Sequence, residues 1–190
     1  VDFLTAPTFA VSGLDLDEDT NRVVFWGAEF AAVKEVKEGL YVVNLNDKKM
    51  DCLIEPKKMQ ISFAHWRKNG ILCAISDGVR YGAGETPKLF LIDSQTKAQT
   101  LLNDNDATFG NAVGTDCAFG ASSTRKVAGE DFYAVMTDAD HTPLVQFDKQ
   151  GKRRVVLPFD GAIFGFDLHG DTAYLIAMKD MQLQEIYQAD

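Results

Sequence analysis

Short apolar runs alternate with polar turns along this chain, and one unit of the pattern recurs. It is plainest at Pro87-Lys88-Leu89-Phe90-Leu91-Ile92-Asp93, followed by Ser94 to Lys97 and then Ala98 to Leu102. An apolar strand, a polar turn and a second strand make an outer β-hairpin. The same unit occurs at Leu40 to Asn44, Leu45 to Lys49 and Met50 to Ile54, and again at Leu144 to Asp148, Lys149 to Lys152 and Arg153 to Leu157. Asn44 to Leu53, Asp93 to Leu102 and Asp148 to Leu157 are each nine residues apart. Equal spacing with matching chemistry marks a repeat.

Each hairpin is preceded by another strand pair: Phe9 to Leu16 with Arg22 to Gly27, Gln60 to Trp66 with Gly70 to Ser76, and Val113 to Phe119 with Asp131 to Thr137. A fourth copy runs through Ile163 to Leu168, Thr172 to Met178 and Gln184 to Gln188, without a last strand. The spacing therefore predicts four-stranded units over about 9–54, 60–102 and 113–157, and three strands over 163–188.

The second strand of each unit is apolar on both faces: Val23-Val24-Phe25-Trp26, Ile71-Leu72-Cys73-Ala74-Ile75, Phe132-Tyr133-Ala134-Val135-Met136 and Ala173-Tyr174-Leu175-Ile176-Ala177-Met178. Such strands need cover on both sides. No long segment between them has helical periodicity, so the sheets must cover one another. A radial stack of four-stranded antiparallel sheets does this, which predicts an all-β propeller. Polar turns fit between first and second strands at Asp17 to Asn21, Lys68-Asn69-Gly70 and His169-Gly170-Asp171, with Gly120 to Glu130 in that place in the third unit. The Glu29 to Glu38 loop is short enough to be either a turn or two of helix or extended chain. Two closures are compatible with the pattern. Val1 to Leu4 would complete the last sheet of a small ring, or the chain is part of a larger ring and self-associates through exposed sheet faces when isolated.

Composition narrows the partners. The net charge is −9, with a pI near 4.8, which disfavours nucleic acid. The basic cluster Lys149, Lys152, Arg153 and Arg154 sits on a hairpin turn and reads as a solvated edge. No stretch reaches the roughly 20 apolar residues of a membrane span, and Val1 to Ala10 lacks the basic start of a signal peptide. Cys52, Cys73 and Cys117 lie within apolar runs with no Cys-x-x-Cys spacing, which reads as buried thiols of a cytoplasmic protein.

Candidate chemistry is sparse. Asp15, Asp17 and Asp19 open like a calcium loop, but Thr20 and Trp26 stand where Gly and a bidentate Glu are needed, and Asp104 to Asp106 fails the same way. His65, His141 and His169 have no partner at metal-ligand spacing, so no metal or other cofactor is expected. The informative motif is Gly-x-Asp: Gly13-Leu14-Asp15, Gly114-Thr115-Asp116 and Gly165-Phe166-Asp167 recur on first strands, with Ser62-Phe63-Ala64 taken as the counterpart in the second unit. First strands line a propeller's channel, which makes Asp15, Asp116 and Asp167 candidates for a carboxylate ring attracting cations or peptide amines. The competing reading has the glycines allowing close approach and the aspartates accepting backbone hydrogen bonds.

Asp2-Phe3-Leu4, Phe9-Ala10-Val11-Ser12, the Asp-rich turn before Val23-Val24-Phe25, and Leu40-Tyr41-Val42-Val43-Asn44-Leu45 resemble the first blade of the prolyl oligopeptidase and acylaminoacyl peptidase family. The hairpins at Leu89 and Leu144 resemble later blades. The family's usual Ser-Pro-Asp-Gly turn is replaced here by Leu16 to Asp19, Trp66 to Asn69 and Leu168 to Asp171. The resemblance implies a seven- or eight-bladed propeller that caps a Ser-Asp-His hydrolase domain and limits substrates to short or unfolded peptides. No Gly-x-Ser-x-Gly elbow is present: Ala74 to Gly78 and Gly120 to Thr124 each lack a glycine, so no catalytic residue is assigned. The leading expectation is the substrate-gating propeller portion of a cytoplasmic serine oligopeptidase, meeting its peptide substrate through a hydrolase domain absent from this chain. The alternatives are a small stand-alone propeller serving as an interaction scaffold and, further off, a propeller enzyme acting on a sugar or lactone.

Overall fold

A computed structural model describes residues 3–30, 32–33, 35–113, 115, 120–180 and 182–190. The chain divides into two compact units, Val1–Asn105 and Asp106–Asp190. Among the described residues all sheet pairings are antiparallel.

The first unit is one seven-stranded meander: β1 (Phe9–Asp17), β2 (Arg22–Glu29), β3 (Glu38–Asn44), β4 (Met50–Arg67), β5 (Gly70–Ser76), β6 (Lys88–Ile92) and β7 (Gln99–Asn103), paired in that order. β4 is 18 residues long. Its first part pairs with β3, and Gln60 to Arg67 pair with β5, so it is both the outer strand of one four-stranded sheet and the inner strand of the next. The change falls beside Pro56 and Lys57, whose φ is 67°, and in the second part Trp66 reaches Asp15 of β1 and Arg22 of β2. The two apolar faces thereby cover each other: Val24, Leu40, Ile54, Phe63, Leu72, Ala74 and Leu89 are all at most 3% exposed. In the Glu29 to Glu38 loop the described residues include bends at 32–33 and 36–37 and no helix, while Ala31 and Lys34 lie outside the described residues.

The second unit holds a sheet of β8 (Thr108–Phe109), β9 (Arg125–Ala128), β10 (Asp131–Thr137), β11 (Leu144–Phe147) and β12 (Arg153–Leu157), and a three-stranded sheet of β13 (Ala162–His169), β14 (Thr172–Met178) and β15 (Glu185–Ala189). Val135, Leu144, Ile163, Phe166, Leu175 and Ala177 pack into the core between them. The third inner strand differs from the sequence expectation. Val113 and Thr115 are in no strand, and the rest of the Gly-x-Asp motif there, Gly114 and Asp116, lies outside the described residues together with Cys117 to Phe119. β8 and β9 pair with β10 instead, and the turn joining β9 to β10 is only Gly129-Glu130. For the small-ring closure, Val1 and Asp2 are outside the described residues, and Phe3 and Leu4 are exposed and in no strand.

Candidate functional site: the inner-strand position

The sheets can be aligned residue by residue through their pairings. Leu40, Leu89 and Leu144 face Trp26, Ala74 and Val135, so those three positions on the second strands are equivalent. Opposite them every unbroken inner strand carries a β-bulge, with Ser12, Ser62 and Phe164 as the extra residues. A bulge inserts one residue and re-aims the side chains that follow it. Three residues after it stand Asp15, His65 and Asp167, facing Val24, Leu72 and Tyr174.

The third sheet obeys the same register with a larger interruption. Phe109 faces Met136 and Arg125 faces Ala134. Between them Val135 is held from both sides, its carbonyl accepting from Gly110 N at 2.7 Å and its N–H donating to Thr124 O at 2.9 Å. The excursion from Gly110 to Thr124 therefore replaces the single bulge residue of the other sheets. After it, Lys126 faces Tyr133, which places Lys126 at the position of Asp15.

The four equivalent side chains are thus Asp15, His65, Lys126 and Asp167. Within the first unit, Asp15 Oδ2 accepts the backbone N–H of Trp66 at 2.7 Å, and His65 Nδ1 lies 3.7 Å from Asp15 Oδ1. Arg22 supports this junction by stacking over the Trp66 ring at 4.5 Å while bonding Thr20 at 2.8 Å and Asp17 at 3.3 Å. Within the second unit, the Lys126 ammonium donates to the Asp167 carboxylate and to Leu168 O at 3.3 Å. The bond from Lys126, and after it the Leu168 N–H, hold the Asp167 carboxyl below its ordinary pKa. The acid at this position is therefore held within each unit, Asp15 by the Trp66 N–H and Asp167 by the Lys126 ammonium, whose charge offsets that of Asp167.

The glycines of the motif have local partners. A Cβ on Gly13 would stand 2.3 Å from the Trp26 ring, and one on Gly165 would stand 2.1 Å from Ser122 Oγ and 2.7 Å from Ser122 N. The second sheet needs no glycine, because Phe63 faces the small Ala74 where Gly13 faces Trp26. Hence Gly13-Leu14-Asp15 corresponds to Phe63-Ala64-His65, one residue later than the sequence motif placed it. His65 and Lys126 were missed because the pattern was sought as Gly-x-Asp. The signal that finds them is the register counted from Leu89 and Leu144.

Among the described residues no group of three or more His, Cys, Asp or Glu side chains is placed to hold a metal ion. Among the described residues no helix is long and apolar enough to cross a membrane. A polar groove of about 370 Å³ in the first unit is lined by Arg22, Asp47, Lys49, Asp51, Ser94 and Lys97, among others, so charges of both signs meet there.

No protein-family model matches the sequence, and no curated protein sequence matches it. Solved structures do. Puromycin hydrolase superposes with a TM-score of 0.67 at 16% identity, over 95% of this chain and 27% of that one. The Pyrococcus horikoshii acylaminoacyl peptidase gives 0.65 at 15% identity, over 90% and 24%. Prolyl oligopeptidase B from Galerina marginata gives 0.65 at 15% identity, over 97% and 25%. At these identities the likeness concerns the fold. The chain is similar in fold to the propeller domain of prolyl oligopeptidase and acylaminoacyl peptidase structures, and it spans about a quarter of their length.

Proposed function

We propose that this chain is the substrate-gating propeller portion of a cytoplasmic serine oligopeptidase or acylaminoacyl peptidase, whose hydrolase domain lies elsewhere in the polypeptide. The observation that carries the reading is the asymmetry of coverage: nearly all of this chain superposes on about a quarter of each peptidase. In this reading the inner strands border the channel. Asp15, Asp116 and Asp167 are then the channel candidates, with His65 and Lys126 at the same register position within their own units. Peptides approaching the hydrolase meet side chains that can accept from an amine (Asp15, Asp167) and donate to a carboxylate (Lys126), as a wall passed by peptides with free termini would require. The half-buried thiol of Cys52 and the buried thiol of Cys73, both free, suit a reducing compartment.

The test is expression of the polypeptide from its complete gene, with intact mass, labelling by a serine-directed fluorophosphonate, and hydrolysis of short and long chromogenic peptides. A chain several times longer, labelled once and preferring short peptides, is expected. A natural product ending at Asp190 that remains unlabelled would overturn the reading.

A further inference from the structure

The turn between β4 and β5 is Lys68-Asn69, closed by the pair Arg67 and Gly70. Asn69 is exposed and its side chain makes no hydrogen bond among the described residues. Four other asparagines are engaged: Asn44 Oδ1 holds Asn46 N at 2.9 Å, Asn111 Oδ1 holds Val113 N at 2.8 Å, and Asn103 and Asn105 have partners; Asn21 and Asn46 are exposed like Asn69, so its neighbour is what sets Asn69 apart. Of the asparagines in the sequence, Asn69 alone is followed by glycine. That glycine is fixed by packing. Gly70 has a φ of +145°, and a Cβ there would stand 2.7 Å from Ile92 O.

We propose that Asn69-Gly70 is a spontaneous deamidation site that ages the inner strand of the second sheet. The Gly70 backbone nitrogen attacks the Asn69 side-chain carbonyl carbon. A C–N bond forms, the nitrogen's proton leaves with the amide group as ammonia, and a cyclic succinimide results. Water then opens either carbonyl, giving aspartate or isoaspartate. No oxidant or enzyme is required. With no side chain on Gly70 to shield its nitrogen, and an Asn69 amide free to rotate at a hairpin tip that opens at low cost, this asparagine reacts ahead of the others. Isoaspartate routes the main chain through the former side chain and adds one carbon between Arg67 and Gly70. Arg67 is 5% exposed and Gly70 abuts Ile92 O, so the added atom is taken up in the pairing of Trp66 with Ile71. That pairing sits beside the Trp66 N–H bond to Asp15. The product is a substrate for a methyltransferase specific for isoaspartyl carboxylates.

The test is to incubate the folded protein expressed from its complete gene, and a urea-unfolded sample, in mildly alkaline buffer, comparing the asparagines of residues 1–190. Peptide mapping follows the amide-to-acid mass change, methyltransferase labelling detects isoaspartate, and hydrogen exchange follows the Trp66 amide. Conversion at Asn69 is expected to outpace every other asparagine in the folded sample, with loss of Trp66 protection in the isoaspartyl fraction. Asn69→Gln should stop the conversion, and Asn69→Asp, which adds the charge without the carbon, should keep Trp66 protected. An Asn69 that stays intact in the folded chain while it converts in the unfolded one would overturn the proposal. So would conversion of Asn105 at the same rate, or a Trp66 amide that loses protection equally in Asn69→Asp.

Discussion

Lys126 and Asp167 stand at the same register position of adjacent sheets in the second unit, each opposite a tyrosine, and are joined by a hydrogen bond between ammonium and carboxylate. Replacing Lys126 by Met removes the larger of the two influences that hold the Asp167 carboxyl below its ordinary pKa. The Leu168 N–H remains as the lesser one. In a carbon-detected NMR titration the Asp167 carboxyl of the Lys126→Met variant is expected to move upward, towards the usual aspartate range. Because the folded-state value is lowered, the pair's contribution is present above the ordinary carboxylate pKa and fades as pH falls through the lowered one. An unchanged titration would mean that the pair does not form in solution.

Asp15 behaves differently, since its partner is a backbone group. Asp15→Ala leaves the Trp66 N–H without its acceptor, a loss of about 1–3 kcal/mol by urea denaturation. Asp15→Asn keeps an oxygen at the same reach and should recover part of that loss. If both variants match the wild type, the bond carries no stability.

Close approach at the bulge gives a third contrast. Gly13→Ala drives a Cβ into the buried Trp26 ring, and the strain of overpacking predicts a loss of about 1–3 kcal/mol. Gly84→Ala meets nothing within 4 Å at ordinary φ, and its reduced unfolded-state freedom predicts a gain of up to about 1 kcal/mol. Thermal melts of the two variants should therefore move in opposite directions.

The thiols provide a probe of the first unit. Burial pushes the Cys73 pKa far above that of a free thiol, and burial followed by the neighbouring Glu55 raises that of the half-buried Cys52. Maleimide labelling of the folded chain should modify Cys52 slowly and leave Cys73 untouched until unfolding. Rapid modification of Cys73 would show that β5 is not covered on both faces.

Much of this architecture was legible because burial imposes a simple code. Strands covered on both faces must be apolar throughout, which exposed β2, β5, β10 and β14, and hairpin turns must be polar, which fixed the outer strands. The inner strands were less legible. Arg125-Lys126-Val127-Ala128 carries two cations and only four residues, too little for an apolar pattern, while the nearby Gly114-Thr115-Asp116 imitates the motif of the other sheets. Nor does sequence announce that a single bulge residue in three sheets becomes a long excursion in the fourth. The exchange of Gly13 with Trp26 for Phe63 with Ala74 also hid the second position, because the constraint acts on the pair and not on either residue.

The sharing of β4 has a consequence for how the first unit is made. Each of its seven strands pairs only with its neighbours in sequence, so each can be added as it leaves the ribosome, with short loops to close. Yet β4 commits one stretch of backbone to two sheets, so neither sheet can lose it without opening the other. The first unit is thus expected to assemble stepwise during synthesis and, once complete, to unfold in a single cooperative transition.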